Sequence, residues 1–519
     1  MNHIGSALLT LADRYNSYGA QLDATRSALL PIVDHEIPDA GMTVDEDGNV
    51  TAPKVPLGVN GQGSPMTAVL VQQILQAQAD SLQVRVKHLL TQFGETETTA
   101  AQAITTSLRD LDAYEQHPDA APPPAGRVQA ILDGTAQLPA DPAALHDFWD
   151  TLTPAEKDAL WQHDQYLGNR NGLPATDRDH YNRIKLDDEL ARARAGDPAV
   201  AGKQRDLQAI QDTIGNKPDR MLLLLDTQSG AMTHAAVGIG NPDLSANVSV
   251  SAGGLNTSVG NSLGNMVGEA ANIRQVAQSQ LRRLPQGDPR QSQQVASIAW
   301  IGADLPQAGL DHPGDYVDVA DDGMARRGAP KLASFYDGLG AAHDGSMHLT
   351  AVGHSYGSLM TGLALQEPGR HPVDDLAVYG SPGLDVSTSH APLLAGLPDV
   401  VDRSVPEQLG LRPGHLYEMS AHGDPVAHFN AFGPSPDNIS AFTHLETGAT
   451  ITSDGVHREE SVGHSQYPRV GGNNQLRTSG WNIAAVVSGA DRPIQVNPGG
   501  GPLEVSERYA HEIVHWLTS

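Results

Sequence analysis

Past Gly215 the chain is built from short, largely apolar runs at residues 221–226, 233–239, 247–251, 295–301, 348–352, 376–379 and 416–420. After about residue 240 most of these runs are separated by helical stretches. A strand with one wet face shows a polar residue at every second position, and most of these runs do not (Asn247-Val248-Ser249-Val250-Ser251 is the exception), so both of their faces are expected to be covered. Apolar strands alternating with helices predict a mainly parallel sheet with helices on both sides. The first two runs, joined around Gln228-Ser229-Gly230, are spaced as a hairpin and predict an antiparallel edge.

Upstream of this sheet the periodicity changes. Residues 7–30 and 66–93 repeat apolar positions at spacings of three and four, predicting two long helices that pack as an antiparallel pair. Between them, residues 42–51 hold an Asp-Gly turn flanked by β-prone pairs, which signals a small hairpin. The Asp45-x-Asp47-Gly48 spacing imitates the start of a calcium loop, yet the remaining oxygen ligands and the closing Glu are missing. Residues 117–125 (HPDAAPPPA) form a stiff connector, followed by helix to about residue 215. In that stretch Thr153-Pro154-Ala155-Glu156 is a helix-start signal, and the charged run 178–205 is expected to be a solvated helix face. The expected divisions are a helical hairpin with a β-hairpin insertion (1–116), a Pro-rich linker with a helical segment (117–215) and an α/β catalytic domain (216–519).

Within the α/β part, the run at 347–352 leads straight into Gly353-His354-Ser355-Tyr356-Gly357, and residues 358–366 continue as helix. G-x-S-x-G acquires meaning between a strand and a helix, where flanking glycines let the backbone turn sharply and hold a serine hydroxyl above the sheet. A second match, Gly260-Asn261-Ser262-Leu263-Gly264, follows a loop with no strand entering it. Ser355 is therefore the expected nucleophile. With no cysteine anywhere in the chain, thiolate catalysis, disulfides and Cys-based metal sites are excluded.

A serine hydroxyl needs a positioned base, and the base needs an acceptor that fixes its tautomer. The strand at 416–420 opens into Ala421-His422-Gly423-Asp424-Pro425, which places the Asp424 carboxylate on the same rim as the elbow. Asp385, past the preceding strand, is the second choice. Of the histidines that follow, His464 stands in a Gly- and Pro-punctuated loop before the helix at 481–487 and is the expected base, with His457 and His444 as fallbacks. An oxyanion would be held by the N–H of Tyr356 and by that of Leu255 in the glycine-rich turn 252–256, with Gly254 as the alternative.

These residues resemble an actinobacterial family of α/β-hydrolases of largely undefined substrate, found especially in mycobacteria and streptomycetes. The likeness rests on VASIAWIGA (295–303), GHSYGS, AVYGSPG, Gly423-Asp424-Pro425, His464-Ser465-Gln466-Tyr467 and the helix from Trp481. It reaches upstream to residues 167–174 and 178–190. It implies an α/β-hydrolase fold preceded by an all-α region, with Ser355, Asp424 and His464 as triad. The N-terminal helix pair resembles the helical-hairpin proteins exported by type VII secretion, which implies a helical protein partner. It departs from them in lacking a Trp-x-Gly turn and a Tyr-x-x-x-Asp/Glu signal, Tyr114 being followed by Asp119 one residue too late.

The expected function is that of a serine esterase or lipase-like enzyme working through an acyl-enzyme on a small-molecule acyl ester or lipid, with no cofactor and no metal. The rival is a non-catalytic binding or secretion-associated protein that uses the fold as a scaffold. A net charge of −28 repels phosphate backbones and anionic headgroups, which argues against nucleic-acid partners and electrostatic membrane docking. No apolar run approaches the ~18 residues of a membrane span. The first twenty residues lack a Sec-type signal, leaving cytoplasmic residence or export by another route. His511-Glu512-Ile513-Val514-His515 formally matches H-E-x-x-H. Only four residues follow it, too few for the third zinc ligand, so it is expected to be an amphipathic terminal helix.

Overall fold

The long period-3.6 segments near the start of the chain form helix α1 (His3–Pro31) and helix α2 (Pro65–Gln116). Between them lies a two-stranded hairpin, β1 (Thr43–Val44) with β2 (Val50–Thr51). In this computed structural model residues 3–54, 65–116, 126–307, 321–387, 404–428 and 430–496 are described. The chain divides into two compact units, Met1–Ala136 with Asp150–Ala159, and Gln137–Trp149 with Leu160–Ser519.

In the first unit α1 and α2 run antiparallel. Arg14 donates to the Ala103 carbonyl and the Ser107 hydroxyl at 2.9 Å each, while at the other end of the pair Arg85 meets Glu36. Ile32, Ile37, Met42, Val50, Leu82 and Val86 form the core beneath the hairpin. Asp45 accepts the backbone N–H groups of Asp47 and Asn49 at 3.1 and 2.8 Å, so its carboxylate serves the turn itself. At residues 153–156 the helix-start signal is a reciprocal capping box: Glu156 N–H donates to the Thr153 hydroxyl, and Thr153 N–H to the Glu156 carboxylate.

The second unit contains helices α3 (Ala175–Arg194) and α4 (Gln204–Ile214) and the sheet that the apolar runs predict. Its strands are β3 (Arg220–Asp226), β4 (His234–Ile239), β5 (Asn247–Ala252), β6 (Val295–Ile301), β7 (His348–His354), β8 (Asp375–Tyr379), β9 (Leu416–Met419) and β10 (Thr443–His444). They lie in the order β10-β9-β8-β7-β5-β6-β4-β3. Only β4 opposes its neighbours, being antiparallel to β3 and β6, and the other pairings are parallel. The fold is thus the α/β-hydrolase arrangement preceded by a helical region.

Every residue of β6 is buried, as an apolar run covered on both faces must be. Its alternating side chains enter different cores. Ala296, Ile298 and Trp300 pack with helices α6 (Gly323–Ala342) and α7 (Tyr356–Leu365) on one face. Ala299 and Ile301 pack with α3, α4 and α5 (Val259–Arg282) on the other, where α8 (Thr478–Ser488) also docks.

The charged run 178–205 is a correction to the expectation of a solvated face. Arg178, Lys185 and Glu189 in α3 are all buried. Lys185 lies 3.6 Å from Glu189, and the Arg178 guanidinium sits 5.1 Å from the centre of the Phe335 ring. Pairing and stacking make burial of these charges tolerable. Among the described residues no helix is long and apolar enough to cross a membrane. The connector 117–125 and the His511-to-His515 motif lie outside the described residues.

Candidate active site

In a parallel sheet the strands all deliver their C-terminal ends to one rim, and that is where the chemistry-bearing residues converge. β7 ends at His354, and Ser355 follows in a strained conformation (φ 54°, ψ −129°) before α7 begins at Tyr356. The elbow is held by a bond from Ser355 N–H to the Tyr379 carbonyl at 3.1 Å. Both flanking glycines are required by contact. A Cβ on Gly353 would lie 2.6 Å from the Ser358 Cα, and one on Gly357 would lie 2.5 Å from the Gly253 carbonyl oxygen. Strain of this kind persists only where the surroundings over-determine it.

Asp424 follows the end of β9, and His464 comes from the loop before α8. The structure brings them together with Ser355. His464 Nε2 lies 2.8 Å from the Ser355 hydroxyl, and His464 Nδ1 lies 2.9 and 3.1 Å from the two Asp424 oxygens. Because Nδ1 faces a carboxylate it carries the proton, which leaves Nε2 free to accept from Ser355. Burial alone would raise the Asp424 pKa, but hydrogen bonds from His464, Tyr467 and the Val426 N–H outweigh it and hold the group below its usual value.

Asp385, the second-choice acid, instead forms an ion pair with Arg326 at 2.5 Å. The fallback histidines also lie elsewhere. His444 pairs with Glu418 at 2.7 Å, and His457 is exposed on a short two-residue strand.

Two residues escaped sequence reasoning. Tyr467 is buried, donates to Asp424 Oδ2 at 2.5 Å and accepts the Ala421 N–H at 2.8 Å. Burial and the adjacent carboxylate push its phenol well above its ordinary pKa, so it stays a donor. His354 lies beneath the His464 ring, with centroids 4.7 Å apart, and its Nε2 is 2.8 Å from the His464 carbonyl oxygen. The available signal was position alone: Tyr467 follows His464 by three residues, and His354 is the first variable residue of the elbow motif.

Tyr356 is the first residue of α7, so its N–H has no acceptor within the helix. Leu255 lines the same cavity as Ser355. Gly254 also packs against the elbow, since a Cβ there would sit 2.7 Å from the Ser355 Cβ and 3.2 Å from its hydroxyl. The cavity has a volume of about 830 Å³, within the range of small-molecule sites. One wall is a face of α5 carrying Ser262, Met266, Glu269 and Ile273. Glu269 is held 3.5 Å from Arg469 of the loop after His464, and burial raises its pKa.

A mostly parallel sheet with a strained serine at a strand-to-helix elbow, facing a histidine and an aspartate across one rim, defines the class of the α/β-hydrolases. The chain belongs to the alpha/beta hydrolase family, which it matches over residues 229–434, a span that takes in Ser355 and Asp424 and ends before His464. Uncharacterized proteins of Mycobacterium bovis and Mycobacterium tuberculosis are 41% identical over 255 residues, covering 48% of this chain and 85% of theirs. Another uncharacterized protein of Mycobacterium tuberculosis is 29% identical over 317 residues, 54% of this chain and 43% of its own.

Proposed function

We propose that the protein is a serine hydrolase that cleaves carboxylic esters of small molecules or lipids through an acyl-enzyme. The observation that carries this reading is the continuous hydrogen-bonded row from the Ser355 hydroxyl through His464 to buried Asp424. In the proposed reaction Ser355 Oγ attacks the ester carbonyl as its proton passes to His464 Nε2, and Asp424 stabilises the imidazolium that forms. The N–H groups of Tyr356 and Leu255 hold the oxyanion. His464 then gives its proton to the departing alcohol, and water activated by the same imidazole releases the acid.

The cavity supports a small-molecule substrate, and its Met266, Ile273 and Phe432 side chains suit an acyl chain. The test is labelling with a fluorophosphonate together with turnover of p-nitrophenyl esters of graded chain length. The wild-type chain is expected to be labelled and active, and Ser355→Ala to be neither. Labelling that survives in Ser355→Ala overturns the assignment, and a labelled chain that turns over none of the esters favours a scaffold role.

A further inference from the structure

His354 is partly buried at the end of β7, where it lines the cavity and is the register partner of Tyr379 on β8. Its ring stacks on that of Tyr379 at 4.9 Å, with planes 20° apart, and lies 4.7 Å from the ring of His464. Its Nε2 meets the backbone carbonyl of His464 at 2.8 Å. A carbonyl can only accept, so Nε2 carries a hydrogen and donates it. The contact joins residue 354 to residue 464, tying the strand that ends in the elbow to the irregular loop that carries the base.

We propose that His354 is a positioning residue: its Nε2–H anchors the His464 backbone and its ring floors the His464 imidazole, keeping Nε2 of His464 aligned with the Ser355 hydroxyl. The proposal rests on the serine-hydrolase reading and extends it to a residue outside the triad. The His464 loop is tied on its N-terminal side by Gly463 N–H to the His422 carbonyl, and a fixed donor at the base's own carbonyl removes further freedom that would misplace the imidazole, where a misplacement of about 1 Å can cost ~10²-fold in rate. The ring beside a transient imidazolium must also be uncharged. Burial, reinforced by His464 itself, drives the His354 pKa down to about 4, so at neutral pH it presents a neutral aromatic face rather than a like charge.

Two substitutions separate the donor from the ring. His354→Phe keeps a ring and loses the donor, while His354→Gln places an amide N–H near the position of Nε2 and loses the ring. Expected is a fall of about 10- to 100-fold in kcat and in fluorophosphonate labelling rate for His354→Phe, with KM within about twofold, and partial recovery in His354→Gln, faster than His354→Phe but below wild type because the donor returns without the ring. A purely structural role would lower the unfolding midpoint of both without this ordering. If His354→Phe does not fold, His354→Asn, one carbon too short to reach the carbonyl, takes its place.

Selective ¹⁵N-histidine spectra of the wild-type chain at neutral pH provide a readout independent of activity, with a neutral Nε2–H tautomer expected for His354. A protonated or Nδ1–H ring overturns the proposal, as does His354→Phe at wild-type rate, His354→Gln as slow as His354→Phe, or a loss confined to KM. A wild-type chain that is never labelled defeats the serine-hydrolase reading itself. A labelled wild type with an indifferent His354→Phe defeats only the positioning role.

Discussion

Two pentapeptides of this chain obey the same pattern, Gly353-His354-Ser355-Tyr356-Gly357 and Gly260-Asn261-Ser262-Leu263-Gly264, and both serines line the same cavity. Their backbones differ completely. Ser355 leaves a strand at φ 54°, outside any regular structure, and its hydroxyl meets an imidazole at 2.8 Å. Ser262 lies inside the first turn of α5, where its hydroxyl accepts the N–H of Ser258 at 3.2 Å, satisfying one of the orphan donors at a helix start. Among the described residues no histidine is hydrogen-bonded to Ser262. The glycines differ in what crowds them: a Cβ on Gly353 or Gly357 would meet backbone atoms under 3 Å away, whereas one on Gly260 would meet side-chain atoms alone, Asp206 Oδ1 at 2.5 Å, and one on Gly264 nothing nearer than 3.6 Å. A five-residue pattern thus becomes chemistry only when a strand drives the serine out over the rim.

The largest expected effect separates these serines outright. Ser355→Ala should lower kcat by roughly 10⁴-fold or more and abolish fluorophosphonate labelling, because nucleophile and base act as a unit. Mass spectrometry of the labelled wild-type chain reads the site directly, and adduct on the peptide containing Ser262 breaks the comparison. Next comes the support of the elbow from below. In Gly254→Ala the new methyl would fall 2.7 Å from the Ser355 Cβ and 2.9 Å from the His354 carbonyl oxygen, both fixed by the elbow. Relief of that overlap should cost about 1–3 kcal/mol of stability and about 10²-fold in kcat as the oxyanion donors shift. Urea unfolding and ester kinetics check the two numbers, and a wild-type rate would mean that the turn at 253–255 yields freely.

Much of this architecture was legible because the signals are local. A fully buried strand such as 295–301 is apolar except where a polar side chain finds a partner, as Ser297 does in the Ser249 hydroxyl, and the elbow needs its glycines next to its serine. Asp424 and His464 could be nominated from the chain order and from their places past a strand end and in a punctuated loop. The residues that were not legible depend on contacts between distant segments. His354 acts on a carbonyl 110 positions later, and Tyr467 on a carboxylate 43 positions earlier. Neither contact leaves a period or spacing in the sequence. The helix at 178–190 misled for a related reason. Its charged residues look solvated until the Phe335 ring and the Lys185–Glu189 pair bring them inside.

An intermediate effect tests what stands behind Ser355 and has no counterpart behind Ser262. Tyr467→Phe removes one donor to Asp424 and leaves the buried Ala421 N–H unpaired. About a tenfold loss in kcat is expected, the equivalent of ~1.4 kcal/mol, together with about 1–3 kcal/mol of stability. Part of the stability loss is linked to pH. The Asp424 pKa is depressed in the folded chain, so the carboxylate contributes stability that is fully present above the unfolded value of about 3.9 and lost as pH falls through the depressed one. Losing a donor to the charged form raises that folded pKa and shrinks the contribution. Urea midpoints of wild type and Tyr467→Phe should therefore differ more at pH 7 than at pH 3. A gap that stays constant would place the whole effect in the unpaired N–H.

The smallest effect is expected at Ser262. Its hydroxyl is engaged with the Ser258 N–H, and its α-helical backbone offers no route to the His464 imidazole. Ser262→Ala should leave the labelling rate within about twofold of wild type and reduce stability by about 0.5–1 kcal/mol, the range for losing a helix-start hydrogen bond. Because the side chain also lines the cavity, KM is the parameter with room to move. A shift confined to KM would make Ser262 part of the substrate wall and leave the comparison intact. A fall in kcat that tracks the fall in Ser355→Ala would mean that the α5 serine reaches the reacting atoms after all, and the contrast between the two pentapeptides would have to be abandoned.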